Sequence, residues 1–256
     1  MQEKIIKQLR QLEQEHDIHI FYAVESGSRA WGFASNDSDY DVRFLYYHTP
    51  EWYFSVSPQQ DNITRMEENG LLDFAGWELK KTLTLLLKSN MSLYEWLKSP
   101  IVYLKTDEHD QFAKTAEQFF TPKALIFSYT HLAEGNYRNY INKEFIKMKK
   151  YLYVLRTIAA CRWIERTGTL PPIEIDKLKD ILREENHIFV FLKRLIQDKK
   201  NNVELGLTAP DKEINAWIEN QLSYYKSYAD ALPALNKKTE VLNRFFYQTV
   251  NKLNLK

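Results

Sequence analysis

Two aspartates one residue apart, Asp39 and Asp41, sit in DSDYDVRFLY (37–46), where the aromatic and branched residues after Asp39 read as a strand. In a strand, residues i and i+2 share a face, so the two carboxylates stand side by side. Like charges that close repel, and one tends to protonate. A divalent cation removes that cost. Mg²⁺ takes hard oxygen ligands and needs only one or two carboxylates plus substrate phosphates. A third carboxylate from a neighbouring strand would let the group hold a pair of metals about 4 Å apart. Such a pair activates an attacking oxygen and stabilises a departing one. Upstream, Gly27-Ser28 closes the β-rich stretch IHIFYAVES (18–26). Glycine permits close backbone approach, free N–H groups at a helix start attract phosphate, and Ser28 adds a hydroxyl donor. Polyphosphate on one side and metal on the other is the geometry of nucleotidyl transfer.

The elements that must position these groups can be traced along the chain. Ile5, Ile6, Leu9 and Leu12 have helical spacing and predict a helix over 2–16. Strands are expected at 18–26, 40–47 and 70–76, with a short strand or turn at 101–105. RAWGFA (29–34) is a helical turn at most and SNDSD (35–39) is turn chemistry. Helices follow over 77–90 and 92–99, the second stopped by Pro100. Beyond residue 108 the pattern is almost wholly helical: a long run over 123–167 with a break near Gly135, then 174–185, 187–200, 210–229 and 233–254. The expected fold class is therefore α+β. A small mixed-sheet domain (1–120) precedes an all-helical domain (121–256), with the site in the cleft between them.

Composition narrows the classes. The chain has 256 residues, and few are Gly or Pro, which argues against a many-turned all-β fold. The single cysteine, Cys161, excludes an intrachain disulfide and a cysteine zinc cluster, and reads as a core residue. The six histidines do not form a ligand set. Neither a P-loop nor a dinucleotide fingerprint is present. No apolar run is long enough to span a bilayer, and the expected location is the cytoplasm. Residues 1–125 hold 13 Lys/Arg against 19 Asp/Glu, and residues 126–256 hold 22 against 15. That asymmetry suits an acidic half that binds cations beside a basic half that binds phosphate, and equally suits chance imbalance on solvated helices.

Gly27-Ser28, ten intervening residues, and Asp39-Tyr40-Asp41-Val42 together resemble the signature of the DNA polymerase β nucleotidyltransferase superfamily. The fuller string GSRAWGFASNDSDYDVRFLY (27–46) is similar to one branch, the RNA repair pathway DNA polymerase β family. So are DFAGWELKKTLTLLLKSNMSLYEWLKSPIVY (73–103) and KKYLYVLRTIAACRWIERTGTLPP (149–172). The likeness runs to about residue 190; the remainder has no such counterpart.

The resemblance implies a polymerase-β-like nucleotidyltransferase domain that moves a nucleoside monophosphate from an NTP, ATP first, to an acceptor hydroxyl. Asp39 and Asp41 would hold two Mg²⁺ ions (or Mn²⁺), and Gly27 and Ser28 the β- and γ-phosphates. Asp73 is the expected third carboxylate, because a charge inside GLLDFAG (70–76) needs a reason. Its competitor, Glu78, is explained by a helix N-terminus. Asp37 reads as turn or cap. Arg29 reaches a triphosphate or pairs a local acid, and Arg43 neutralises the carboxylates or touches phosphate. Lys150 and Arg156, on the basic helix, are candidate nucleotide ligands, set against solvated or snorkelling side chains. The expected acceptor is an RNA end, tRNA included. The alternatives are a small-molecule hydroxyl, a protein hydroxyl modified by AMP, and a nucleotide-binding module that has lost catalysis.

Overall fold

The computed structural model describes residues 1–201, 207–234 and 239–252. The chain divides into two units: residues 1–30, 39–120 and the C-terminal helix form one, and residues 31–38 with 121–234 form the other.

In the first unit the order is α1 (Gln2–His16), β1 (Ile18–Glu25), α2 (Gly27–Ala30), β2 (Tyr40–His48), α3 (Pro50–Tyr53), β3 (Asn62–Glu67), β4 (Leu72–Glu78), α4 (Leu79–Leu87), α5 (Met91–Leu97), β5 (Val102–Lys105) and α6 (Asp107–Glu117). The five strands form one sheet in the order β3-β4-β2-β1-β5. β2 and β4 run parallel, and the other neighbours are antiparallel. The α+β class with a mixed sheet is thus observed.

Alternation sorts the strand residues onto two faces. Val42, Phe44 and Tyr46 of β2 and Leu72 and Phe74 of β4 join Ile5, Leu9 and Leu12 of α1 in one buried cluster. The opposite face of β4 carries Asp73, Ala75 and Trp77, all partly exposed. Trp77 stacks on Trp96 of α5 at 3.8 Å between ring centroids. Each of these two strands therefore commits one face to the α1 core and leaves its acids on the other.

Strand β3 is absent from the sequence expectation. NITRME is mostly polar, and only Ile63 is buried. It is an edge strand held by its pairing with β4 rather than by an apolar pattern. Strand β4 lies at 72–78 rather than 70–76, because a turn with positive φ at Glu68, Asn69 and Gly70 precedes it.

The second unit contains α7 (Pro122–Asn136), β6 (Ile146–Lys147), α8 (Lys149–Thr167), α9 (Ile175–Leu178), α10 (Asn186–Lys200), β7 (Leu207–Thr208) and α11 (Lys212–Ala231). The helix expected over 123–167 is interrupted by an i→i+5 turn at Tyr137–Ile141 and by β6, which pairs with β7. Helix α8 ends at Gly168, whose φ of 65° suits a C-terminal glycine. Cys161 is fully buried on α8, and burial pushes its thiol up to about 12. No helix among the described residues is long and apolar enough to cross a membrane.

The last helix, α12 (Glu240–Asn251), belongs to the first unit, whereas its position in the chain groups it with the second. Its Leu242, Phe245 and Val250 are buried. Phe245 meets Phe112 at 5.7 Å, Phe246 meets Tyr53 edge-on at 5.0 Å, and Lys252 pairs with Glu108 at 2.9 Å. Its aromatic partners lie on α3 and α6, and such a docking surface is invisible in a composition count.

Gly76 pairs in register with Phe44 across β4 and β2. A Cβ on Gly76 would stand 2.2 Å from the Phe44 ring. Gly76→Ala should therefore destabilise the protein by about 1–3 kcal/mol through overpacking, read from urea unfolding.

Candidate active site

Parallel pairing of β2 with β4 puts Asp41 opposite Asp73, Val42 opposite Phe74 and Arg43 opposite Ala75. Asp41, Arg43, Asp73 and Ala75 consequently share the face turned away from the α1 core. Between the two carboxylates lies the guanidinium of Arg43. One terminal nitrogen donates to Asp41 Oδ1 and to Asp73 Oδ2, each at 2.8 Å. The other donates to the Asp73 carbonyl at 2.9 Å and to the Val42 carbonyl at 3.2 Å. Burial pushes the Asp41 carboxyl above the usual range, and Asp39 and Asp73 add to that, while Arg43 opposes it.

Asp41 is gripped by the end of β1. Its N–H donates to Glu25 Oε1 at 2.8 Å, and its carbonyl accepts from the Ser26 N–H at 2.8 Å. Gly27 opens α2 with φ +60°, and a Cβ there would fall 1.9 Å from Asp41 Oδ2. The glycine is required twice, by its backbone angle and by the carboxylate against it. Ser28 follows in α2, half-buried.

Asp39 precedes β2 and is exposed. Its carbonyl accepts from Arg29 Nε at 3.0 Å, and the Arg29 guanidinium lies 3.7 Å over the Tyr40 ring. Arg29 thus ties α2 to the Asp39–Tyr40 segment. Glu78 is at the far end of β4, on the buried face, and caps α4 by accepting from the N–H groups of Lys80 at 2.6 Å and Lys81 at 3.1 Å. Tyr53 also donates to it at 2.5 Å. Asp73, not Glu78, is the acid beside Asp41. Asp37 sits in the Ser35–Ser38 turn and is exposed.

Lys150 and Arg156 lie in the second unit. Lys150 is half-buried, with its ammonium 3.9 Å over Tyr140 and 5.3 Å over Tyr153. Burial first, then Lys149 and Lys147, push its pKa down. Arg156 is only 2% exposed, its guanidinium 4.1 Å over Trp31. It packs inside the helical unit, against Trp31.

Glu25 is a site residue that the sequence pattern did not single out. It is fully buried, takes the Asp41 N–H, accepts from the Tyr103 hydroxyl, and has its backbone carbonyl held by Ser99 Oγ at 2.6 Å. The available signal was an acid ending an otherwise apolar strand, directly before Gly27-Ser28.

The donor chemistry of Asp39, Asp41 and Asp73 fits a hard divalent cation. Arg43 already shows that a cation fits between two of them. As arranged, no three His, Cys, Asp or Glu side chains among the described residues converge on one metal position.

The model of the RNA repair pathway DNA polymerase beta family matches residues 1–248. The chain belongs to that family. It is similar to YcgL of Bacillus subtilis (strain 168), with 42% identity over 255 residues, 99% of this chain and 98% of that one. A nucleotidyltransferase-like protein from Exiguobacterium sibiricum is similar over 97% of this chain and 80% of its own, at 10% identity and a TM-score of 0.34, too loosely to place any residue. Family membership makes the protein a polymerase β-like nucleotidyltransferase.

Two expectations follow from this geometry. Gly27→Ala forces a left-handed angle on alanine, at about 1–2 kcal/mol, and drives a methyl into Asp41. It should lower stability by at least that amount in urea melts, and a crystal structure should show Asp41 displaced. Burial raises the Glu25 pKa, opposed by the Tyr103 hydroxyl and the Asp41 N–H. The folded state then holds this proton to higher pH than the unfolded chain does. Its stability contribution is full below the unfolded value of about 4.3 and is lost as pH rises through the raised one. Glu25→Gln keeps an acceptor for Asp41 and should flatten that decline above the ordinary carboxylate range.

Proposed function

We propose that the protein transfers a nucleoside monophosphate from an NTP, with ATP the first candidate, to an acceptor hydroxyl and releases pyrophosphate. The proposed acceptor is an RNA end, and the proposed setting is the cytoplasm. The observation that carries this reading is the register of β2 and β4, which sets Asp41 beside Asp73 with the Gly27 backbone packed against Asp41. Two Mg²⁺ ions would be held by Asp39, Asp41 and Asp73, and would supply charge neutralisation at the polyphosphate and the acceptor oxygen.

The chain's own groups have separable roles. Gly27 would offer its backbone, and Ser28 its hydroxyl, to the β- and γ-phosphates. Asp73 is the group proposed to take the acceptor proton. Glu25 and Arg29 hold the Asp41 and Asp39 backbone and so position the carboxylates, and Arg29 is also proposed to reach the triphosphate. The family name favours an RNA acceptor over a small-molecule or protein hydroxyl. A module without catalysis has less support, because Asp73 is only 29% exposed and lies in a shared ion pair rather than loose in solvent.

Incubation with Mg²⁺ and each labelled NTP, with and without tRNA or short RNAs, tests the reading. Label should appear on RNA. Asp41→Asn and Asp73→Asn should each lower the rate by about 100-fold or more, while Glu78→Gln should keep it. Label on the protein itself or on a small molecule would move the acceptor to those classes. No incorporation together with no metal-dependent NTP binding would overturn the enzyme reading.

A further inference from the structure

Arg43 carries a further inference. Its guanidinium makes four hydrogen bonds, two to carboxylate oxygens of Asp41 and Asp73 and two to backbone carbonyls of Asp73 and Val42. It comes from the same strand as Asp41, two residues on, so the strand's alternation delivers it to the same face. Arginine's fork suits this position, since one planar group can bond two carboxylates and two carbonyls at fixed angles. Without it, two carboxylates in register on neighbouring strands would stand face to face without compensation. The three side chains keep 17%, 22% and 29% of their surface exposed for Arg43, Asp41 and Asp73, so a small ion can reach them.

We propose that Arg43 is the resident counter-cation of this carboxylate pair and competes with the divalent metal for it. The inference rests on the reading that Asp41 and Asp73 bind metal. In the metal-free protein the guanidinium holds the pair together and keeps the strand ends in register. Metal loading displaces the guanidinium from at least one carboxylate oxygen, because that oxygen cannot serve both cations at full strength. The backbone carbonyls of Asp73 and Val42 then keep Arg43 nearby. Arg43 is in this sense a positioning residue that sets how readily the site accepts metal.

The test is calorimetric titration of Mg²⁺ and of Mn²⁺ into the metal-free full-length protein, paired with thermal melts in the same buffers. Arg43→Gln removes the competing charge. It should bind Mn²⁺ about tenfold more tightly than wild type, since a unit positive charge a few ångströms away is lost. Its metal-free melting temperature should fall, and added metal should recover more of it than in wild type. Arg43→Lys keeps a cation without the fork, and its metal affinity should stay near that of wild type. Unchanged or weaker Mn²⁺ binding by Arg43→Gln, with wild type binding and Asp73→Asn not, overturns the competition and leaves the proposed function intact. Absence of Mg²⁺ and Mn²⁺ binding by wild type and both Arg43 variants overturns the competition and the metal-dependent reading together.

Discussion

Two negative charges held opposite one another on adjacent parallel strands are the constraint around which the first unit is organised. Asp41 and Asp73 gain nothing from proximity by themselves; Asp73 raises the cost of ionising Asp41. The structure answers with a guanidinium, with backbone clamps on Asp41 from Glu25 and Ser26, and with a glycine where any side chain would collide. The apolar face beneath holds the register: Val42, Phe44, Leu72 and Phe74 pack on α1, and a slip of one residue would turn them outward and the acids inward.

The same device explains why so few segments contribute to the site. β1 contributes Glu25 at its last residue, α2 supplies Gly27, and β2 and β4 supply the acids. The loop before β5 closes behind Glu25 through Ser99, and β5 itself does so through Tyr103. Each group is backed by regular structure or by a hydrogen bond to it, and this confines the carboxylates more tightly than a free loop would.

Much of this was legible in the residue pattern. Alternation alone put Asp41 and Arg43 on one face, and an acid among apolar neighbours marked Asp73. Helix α1 was legible from its spacing, with both ends as observed. Other features were not, for physical reasons. β3 has no apolar period, because an edge strand can be held by main-chain bonds alone. Glu25 looks like a strand-ending acid until β2 is seen beside it. Arg156 reads as one more basic side chain on its helix, and its burial against the Trp31 ring is not visible there. Each depends on a partner distant in the chain, which local pattern does not reveal.

The docking of α12 on the first unit has a consequence for how the chain reaches its native state. Ribosomes release the amino-terminal half first, and domains generally fold as they emerge. Here Phe112 and Tyr53 wait for Phe245 and Phe246, which are translated after the whole helical unit. The sheet can form early, but the apolar flank formed by α3 and α6 lacks this cover until α12 has been made. A nascent chain stalled anywhere in the helical unit would display that flank to chaperones, or to other chains.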